Sequence, residues 1–171
     1  MTVIKHFFLI LLLTGCAMKS TQIKTVDEVD INRFMGDWYV LAHIPSYVEK
    51  NAFNAVESYK LNEDGSIATT FTFNEGSLDG PVKTYHPKGF VIPGTNNAIW
   101  GMQFIWPIKA QYKIAYLDKD YKITIVARDK LDYVWLMART KTLPHHQMIK
   151  FRDMIEGMGY SLDNYREIEQ E

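Results

Sequence analysis

Cysteine is nearly absent from this sequence: Cys16 is the only one among 171 residues, so the chain cannot form an internal disulfide bond. Neither charge sign is in excess, because 19 basic and 20 acidic side chains leave a formal net charge of −1. That balance provides no electrostatic case for binding nucleic acid. The sequence also lacks a Gly-x-Ser-x-Gly nucleophile elbow and a glycine-rich phosphate loop, and the adjacent histidines His145 and His146 would point apart on a helix. These absences indicate a protein that is not an enzyme and that uses no metal or other cofactor.

A long hydrophobic run occurs only at the N-terminus. Residues 7–13 are all apolar and follow Lys5, which is typical of a signal peptide and too short for a mature membrane-spanning helix. The next residues, Leu13-Thr14-Gly15-Cys16, resemble the bacterial lipobox. This resemblance implies a lipoprotein signal peptide over residues 1–15, lipid attachment at Cys16, and an acylated N-terminus and tether over residues 16–29. The alternative is an ordinary signal peptide with an unrelated cysteine.

The residue after the cysteine bears on localisation. Ala17 stands there, with no Asp to signal retention in the inner membrane. By resemblance to sorting in Gram-negative bacteria, this implies a lipid anchor in the outer membrane, with the protein facing the periplasm. Several acyl chains would anchor the protein firmly, because each buried methylene contributes about 0.8 kcal/mol.

The middle of the chain alternates between apolar and polar residues, in short segments separated by turn residues. The predicted strands are residues 37–44, 55–61, 67–74, 81–86, 98–106, 111–117, 121–128 and 133–139. Eight closely spaced strands favour an all-β fold, either an up-and-down antiparallel barrel or a sandwich. A barrel of about eight strands is wide enough to hold one small ligand.

Helical patterns flank the predicted strands. Asp30 is a candidate N-cap for a helical turn just before the first strand. After the last strand, Met148, Phe151 and Ile155 form one apolar stripe at helical spacing, which predicts a helix packed on the outside of the sheet. Residues 162–168 are predicted to add a short edge strand.

Three separated motifs resemble the lipocalin family. Gly36-Asp37-Trp38 opens the first strand, Asp120-Tyr121 lies in the turn before the seventh, and Arg139 ends the eighth. The second motif departs from the family pattern, with Lys119 at a Thr position and Thr124 at an Ala position. The lipobox and residues 135–140 are most similar to the bacterial outer-membrane lipocalins, which are related to apolipoprotein D. The resemblance spans residues 30–168 and implies a lipocalin domain over residues 30–171.

The resemblance implies a fold, a means of closing the barrel and a function. The fold is an eight-stranded up-and-down antiparallel β-barrel with one C-terminal α-helix outside it. One end would be closed by Gly36, Trp38, Asp120, Tyr121 and Arg139, with the guanidinium stacked on the indole. The cavity would bind a fatty acid or lysophospholipid for storage or transport in envelope maintenance or stress, and a homodimer is compatible with the sequence. Two alternatives are a structural lipoprotein with a filled barrel that recruits an envelope partner, and an envelope enzyme acting on an amphiphile.

Alternation along the strands predicts which side chains line the cavity, once Trp38 and Arg139 are placed inward. Glu57 and Tyr59 are placed inward by the family's second-strand pattern. The predicted ligand-binding residues are Val40, Ala42, Glu57, Tyr59, Phe71, Phe73, Trp100, Met102, Phe104, Tyr112, Ile114, Tyr116, Tyr133 and Trp135. Among them, Glu57, Tyr112, Tyr116 and Tyr133 are candidates to contact a polar head group. A buried ionised carboxylate is costly, so Glu57 is expected near the mouth, paired, or protonated.

Overall fold

The computed structural model describes residues 22–171, so the predicted signal peptide and the predicted lipid attachment at Cys16 lie outside the described residues. Within 22–171, ten strands form one antiparallel sheet. They are β1 (Gly36–Ile44), β2 (Ala52–Leu61), β3 (Ile67–Glu75), β4 (Val82–Tyr85), β5 (Lys88–Val91), β6 (Ile99–Ile105), β7 (Ile108–Leu117), β8 (Ile123–Ala127), β9 (Val134–Ala138) and β10 (Arg166–Glu167). The helices are α1 (Ile31–Phe34) and α2 (His145–Gly157), with a 3-10 turn at Tyr47–Glu49.

The sheet closes on itself, because β1 pairs with β2 on one side and with β9 on the other. The short strands β4 and β5 share the fourth position of the barrel: both pair with β3, and β5 continues to β6. Pro87, which has no N–H to donate to a strand partner, separates them. The last strand, β10, adds to the edge of β1. The predicted eight-stranded antiparallel barrel is confirmed, with β10 within the predicted edge strand and β5 as one strand that the sequence did not indicate.

Apolar side chains form one core inside the barrel and a second outside it. The inner core includes Trp38, Trp100 and Phe73, all almost fully buried. In the outer core, Phe151 and Ile155 of α2 pack with residues of β1, β8 and β9. The prediction of a C-terminal helix on the outside is therefore confirmed. No helix in the described part of the chain is long and apolar enough to span a bilayer.

Two β-bulges change which residues face inward. The pairing of β1 with β9 shifts between Val40 and Ala42, and that of β7 with β8 shifts between Ile114 and Tyr116. A bulge adds one residue to a strand, which moves the following side chains to the opposite face. Ala42 accordingly lies in the outer core, and the Tyr116 ring packs there with its centroid 5.2 Å from that of Phe151. The prediction that Ala42 and Tyr116 face the cavity is wrong for this reason.

Arg139 lies across the closed end of the barrel. Its guanidinium carbon is 3.8 Å from the centroid of the Trp38 ring. The same group donates hydrogen bonds of 2.7–3.0 Å to four backbone carbonyls, those of Arg33, Phe34, Met35 and Asp37. Gly36 has φ +91°, and a Cβ atom there would lie 3.3 Å from Arg139 Nη1. The glycine is required both by the backbone conformation and by the close approach of the arginine.

The turn between β7 and β8 joins α1 to this closed end. The Tyr121 hydroxyl accepts a 2.8 Å hydrogen bond from the Asp30 N–H, and the Arg33 guanidinium lies 4.0 Å from the centre of the tyrosine ring. The turn itself is held by Asp118, whose carboxylate accepts hydrogen bonds from the backbone N–H groups of Asp120, Lys122 and Ile123. The Asp120 side chain is exposed, and its backbone N–H makes the contact in this turn.

Residues 22–29 pack against the barrel, with Val29 in the inner core and Ile23 in the outer core. The Val29 N–H donates to the Asn96 carbonyl at the closed end, and the Val26 N–H donates to Ile114 of β7. At the opposite, open end, the Ile23 N–H donates to Asp129 Oδ1 at 2.7 Å. Ile23 and Val29 are buried, so these residues pack on the barrel rather than form the tether that the sequence suggested. Burial of the two apolar side chains explains the difference.

Candidate functional site

A cavity of about 330 Å³ occupies the open half of the barrel. It opens between the loops that follow β1, β3, β6 and β8, which all lie at the end opposite Arg139. Most of its wall is apolar and aromatic, with a small number of polar groups. That combination, in a concave site of this size, is the usual form of a small-molecule binding site.

Eight of the predicted ligand-binding residues line this cavity: Glu57, Tyr59, Phe71, Met102, Phe104, Tyr112, Tyr133 and Trp135. Four others, Val40, Phe73, Trp100 and Ile114, are buried in the inner core but do not reach the cavity wall. Ala42 and Tyr116 lie in the outer core, as described above.

Large aromatic rings, Trp100 among them, fill the closed half of the barrel. Phe73 lies nearer the open end, where its ring packs on Phe71 at 5.2 Å and on Tyr85 at 6.1 Å. Trp100 stacks on Tyr112 with ring centroids 4.9 Å apart, and its other neighbours are Phe34 at 5.3 Å and Tyr59 at 5.7 Å. Phe34 in turn packs on Trp38 at 5.0 Å. Strand alternation identifies inward-facing residues but does not say how far along the barrel the packed rings extend. The depth of the cavity therefore could not be predicted.

The sequence reasoning missed several lining residues from the loops, the interrupted fourth strand and the adjoining ends of β6 and β7: Ser46, Glu49, Tyr85, His86, Pro87, Ile105, Ala110, Gln111 and Arg128. One local signal was available. Ser46 and Glu49 are spaced as a capping box, and the Glu49 carboxylate does accept a 2.9 Å hydrogen bond from the Ser46 N–H. The box orders the loop after β1 and brings the glutamate into the barrel.

Glu49 is an almost fully buried acid with several partners. Its Oε2 accepts a 3.0 Å hydrogen bond from the Trp135 indole, and His43 Nδ1 lies 3.7 Å from the same oxygen. Burial by itself raises the pKa of Glu49, but the His43 ring, the Ser46 N–H and the Trp135 indole together lower it below the usual value. Glu49 is therefore an ionised carboxylate on the cavity wall.

Glu57 is the opposite case. Its Oε2 is buried without a hydrogen-bond partner in the described structure. Burial and, to a smaller extent, the charge of Glu49 raise the pKa of Glu57, the Tyr59 hydroxyl lowers it in part, and the net pKa is about 8. At neutral pH, Glu57 is consequently protonated and presents a hydrogen-bond donor to the cavity.

Two tyrosines lie beside Glu57 at the bottom of the cavity. The Tyr59 and Tyr112 hydroxyl groups form a 2.8 Å hydrogen bond with each other. Burial raises the pKa of both phenols well above the usual value, so both stay neutral. The bottom of the cavity is therefore polar, and the two tyrosine side chains carry no charge there.

Arg128 brings a positive charge to the open end. Its Nη1 lies 3.2 Å from Asp132 Oδ2, and its guanidinium carbon lies 4.9 Å from the centre of the Tyr133 ring. The Arg128 Nε is buried and has no hydrogen-bond acceptor within the described structure. A buried donor without a partner is costly, so a ligand oxygen at this position would be stabilised.

Comparison with known proteins places the chain in a family. Residues 29–170 match the model of the family described as "Lipocalin-like domain". The outer membrane lipoprotein Blc of Vibrio cholerae is 25% identical over 98% of this chain and 99% of its own length. Temperature-induced lipocalin-1 of Arabidopsis thaliana is 24% identical over 87% of this chain and 83% of its own length.

Solved structures share the fold. Insecticyanin from the tobacco hornworm Manduca sexta superposes with a TM-score of 0.67, at 13% identity, over 88% of this chain and 85% of that one. Lobster apocrustacyanin A1 gives a TM-score of 0.63 at 14% identity, over 83% of this chain and 80% of that one. At such low identity these structures establish the barrel and nothing about its ligand.

Proposed function

The chain belongs to the lipocalin family, and from that membership we propose that its barrel binds one amphiphile, a fatty acid or a lysophospholipid, as a lipid-anchored protein of the outer membrane. The outer-membrane location is supported by the likeness to Blc of Vibrio cholerae, which is named an outer membrane lipoprotein. It is also supported by the lipobox at Cys16. The proposed role is storage or transport of such lipids in envelope maintenance or stress.

The observation that carries the binding proposal is the mostly apolar cavity with separated polar groups. An acyl chain placed against Phe71, Met102 and Phe104 would gain about 0.8 kcal/mol for each buried methylene. A cavity wall of this kind favours the tail of an amphiphile over a polar metabolite.

The charges on the wall favour one orientation of the ligand. Glu57 lies beside Tyr59 and Tyr112 at the bottom of the cavity and becomes ionised above about pH 8, so an anionic head group placed there would then be repelled. Arg128 lies at the open end with an unpaired Nε donor. We therefore place the acyl tail toward Tyr59 and Tyr112, and the carboxylate or phosphate of the ligand beside Arg128.

Ligand binding is tested by titrating the purified protein with a fatty acid, a lysophospholipid and a fatty alcohol of equal chain length. Trp135 lies on the cavity wall and should report binding through its fluorescence. We expect saturable binding of one molecule per chain, verified by native mass spectrometry. A protein that responds to none of these amphiphiles would favour a filled barrel that recruits an envelope partner.

The head-group position is tested with Arg128→Gln. A hydrogen bond to a charged group contributes about 1.5–3 kcal/mol, so the variant should bind the fatty acid about 10- to 100-fold more weakly. Its affinity for the fatty alcohol should change little. Lys130→Gln is the matched control, because Lys130 is an exposed cation in the same loop and does not line the cavity. Equal losses for acid and alcohol would contradict this orientation.

A further inference from the structure

The turn between β6 and β7 exposes an unusual amount of apolar surface. In this segment, residues 104–108, the side chains of Phe104, Ile105, Trp106 and Ile108 are 52–82% exposed. We call it the tip hairpin. None of the four belongs to either core within the described structure. A contiguous apolar patch of this kind commonly marks a surface that contacts a membrane or a partner.

The tip hairpin lies at the mouth of the cavity. Phe104 and Ile105 also line the cavity, so the apolar surface runs without a break from the hairpin into the barrel. Other loops at the same end add exposed apolar side chains: Tyr47, after β1, is 93% exposed and Val82, after the β3–β4 turn, is 67% exposed. The apolar patch therefore lies around the open end.

The N-terminal segment reaches the same end. The chain passes from Val29 at the closed end to Ile23, whose N–H is bonded to Asp129 in the loop after β8. Gln22, the first described residue, is thus at the open end, and Cys16 precedes it by six residues. Six residues span at most about 20 Å when fully extended. Acyl chains on Cys16 would therefore hold the rim of the cavity within that distance of the bilayer.

The chemistry of the tip hairpin suits lipid. The segment from Phe104 to Ile108 contains no charged side chain, and Trp106 at its turn has the amphipathic ring that is enriched at membrane interfaces. Lys109 follows at once, and its ammonium group lies 3.7 Å from the centre of the Phe90 ring on the barrel wall. An acyl anchor at Cys16 would also bring the open end of every molecule to a lipid surface, which makes lipid the partner that this end meets.

We propose that the open end of the barrel lies on the bilayer surface, with the tip hairpin inserted among the lipids, so that the cavity exchanges its ligand directly with the membrane. The proposal deepens the proposed function and rests on it for the anchor at Cys16. Insertion of the hairpin is a separate property of residues 104–108.

Single-cysteine labelling tests this orientation, because acylation consumes the thiol of Cys16 and leaves an introduced cysteine as the reactive one. Trp106→Cys is labelled with an environment-sensitive fluorophore, and the acylated protein is reconstituted in vesicles of phosphatidylethanolamine and phosphatidylglycerol. Ile92→Cys is the control, because Ile92 is exposed at the opposite, closed end. We expect the label at 106 to be shielded from aqueous iodide and quenched by brominated acyl chains. The label at 92 should show the reverse.

Two results would overturn the proposal. Equal accessibility to iodide at positions 106 and 92 would mean that the open end does not face lipid. A label at 106 that is shielded from iodide but not quenched by brominated lipid would mean that protein covers the hairpin, as in a dimer of this chain.

Exchange of ligand gives a second readout. Trp106→Ser with Ile108→Ser changes two exposed residues that do not line the cavity. In the acylated protein this variant should transfer ligand to vesicles at least tenfold more slowly than Ile92→Ser, at unchanged equilibrium affinity. Equal transfer rates would overturn the proposal. Failure of the proposed function would appear differently, as absence of ligand binding by titration or of acyl chains on Cys16 by mass spectrometry.

Discussion

Glu57 should make the stability of the protein fall as pH rises through the neutral range. Its pKa is raised from 4.5 to about 8 in the folded protein, mainly by burial. The folded state therefore holds the proton more tightly than the unfolded chain. The resulting stabilisation is fully present below about pH 4.5 and is lost as pH rises to about 8. Glu57→Gln keeps the shape of the protonated side chain and removes the titration.

The magnitude follows from the shift. A difference of about 3.5 pKa units, at 1.36 kcal/mol each, corresponds to about 5 kcal/mol of stability between low pH and a pH well above 8. About 4 kcal/mol of this loss falls between pH 5 and pH 9. Because Glu57 lines a cavity that water can enter, we expect screening to reduce the measured loss to about 2–4 kcal/mol.

Urea unfolding followed by tryptophan fluorescence measures this effect. The free energy of unfolding of wild type minus that of Glu57→Gln should decrease between pH 5 and 9 by the stated amount. Titrating groups that do not interact with Glu57 are common to both proteins and cancel. Glu63→Gln is the matched control, because Glu63 is exposed in the β2–β3 turn and its difference from wild type should stay constant. Surface substitutions usually change the free energy of unfolding by up to about 0.5 kcal/mol. The reasoning would be refuted if the difference in this free energy between wild type and Glu57→Gln varied by less than that amount from pH 5 to 9.

Three further changes test other parts of the structure. Arg139→Lys keeps the charge but loses the guanidinium that donates hydrogen bonds to four backbone carbonyls at the closed end. The free energy of unfolding should therefore fall by about 2–4 kcal/mol. Ligand affinity, measured by titration, should stay the same. Tyr116→Ala should cost about 1–3 kcal/mol in urea unfolding, again without changing affinity, because the partly buried ring packs against Phe151 outside the barrel. A large loss of affinity in that variant would contradict the placement of Tyr116. Cys16→Ser should move the protein from the detergent phase to the aqueous phase in phase partitioning; unchanged partitioning would contradict acylation at Cys16.

Local patterns were sufficient to predict most elements of the fold, β5 (Lys88–Val91) being the exception. The hairpin signal at residues 62–65 does produce a turn, in which the Gly65 N–H donates to the Asn62 carbonyl. Asp30 caps α1, with its carboxylate accepting hydrogen bonds from two backbone N–H groups of the first turn. Turns and helix caps of this kind depend on a few neighbouring residues, so they can be predicted from the sequence.

The cavity was predicted only in part, because its wall depends on contacts between distant residues. Alternation along β6 and β9 identified Met102 and Trp135 as lining residues, and the resemblance to the family's second-strand pattern identified Glu57. The bulges in β1 and β7 reversed the faces of Ala42 and Tyr116, and no residue in either strand signals a bulge. Arg128 was predicted as the last residue of a strand, but β8 ends at Ala127, so Arg128 enters the cavity from the following loop.

The sequence by itself determined the barrel, the outer helix and the family, because periodicity, turn residues and the spacing of Gly36, Trp38 and Arg139 are properties of the chain order. Only the tertiary structure decided where the cavity ends, which acid is ionised and which end the N-terminal segment reaches. Packing of Trp100 on Tyr112 sets the depth, and enclosure of Glu57 beside Glu49 sets its protonation. Both depend on side chains brought together from different strands, since burial and charge act through space and not along the chain.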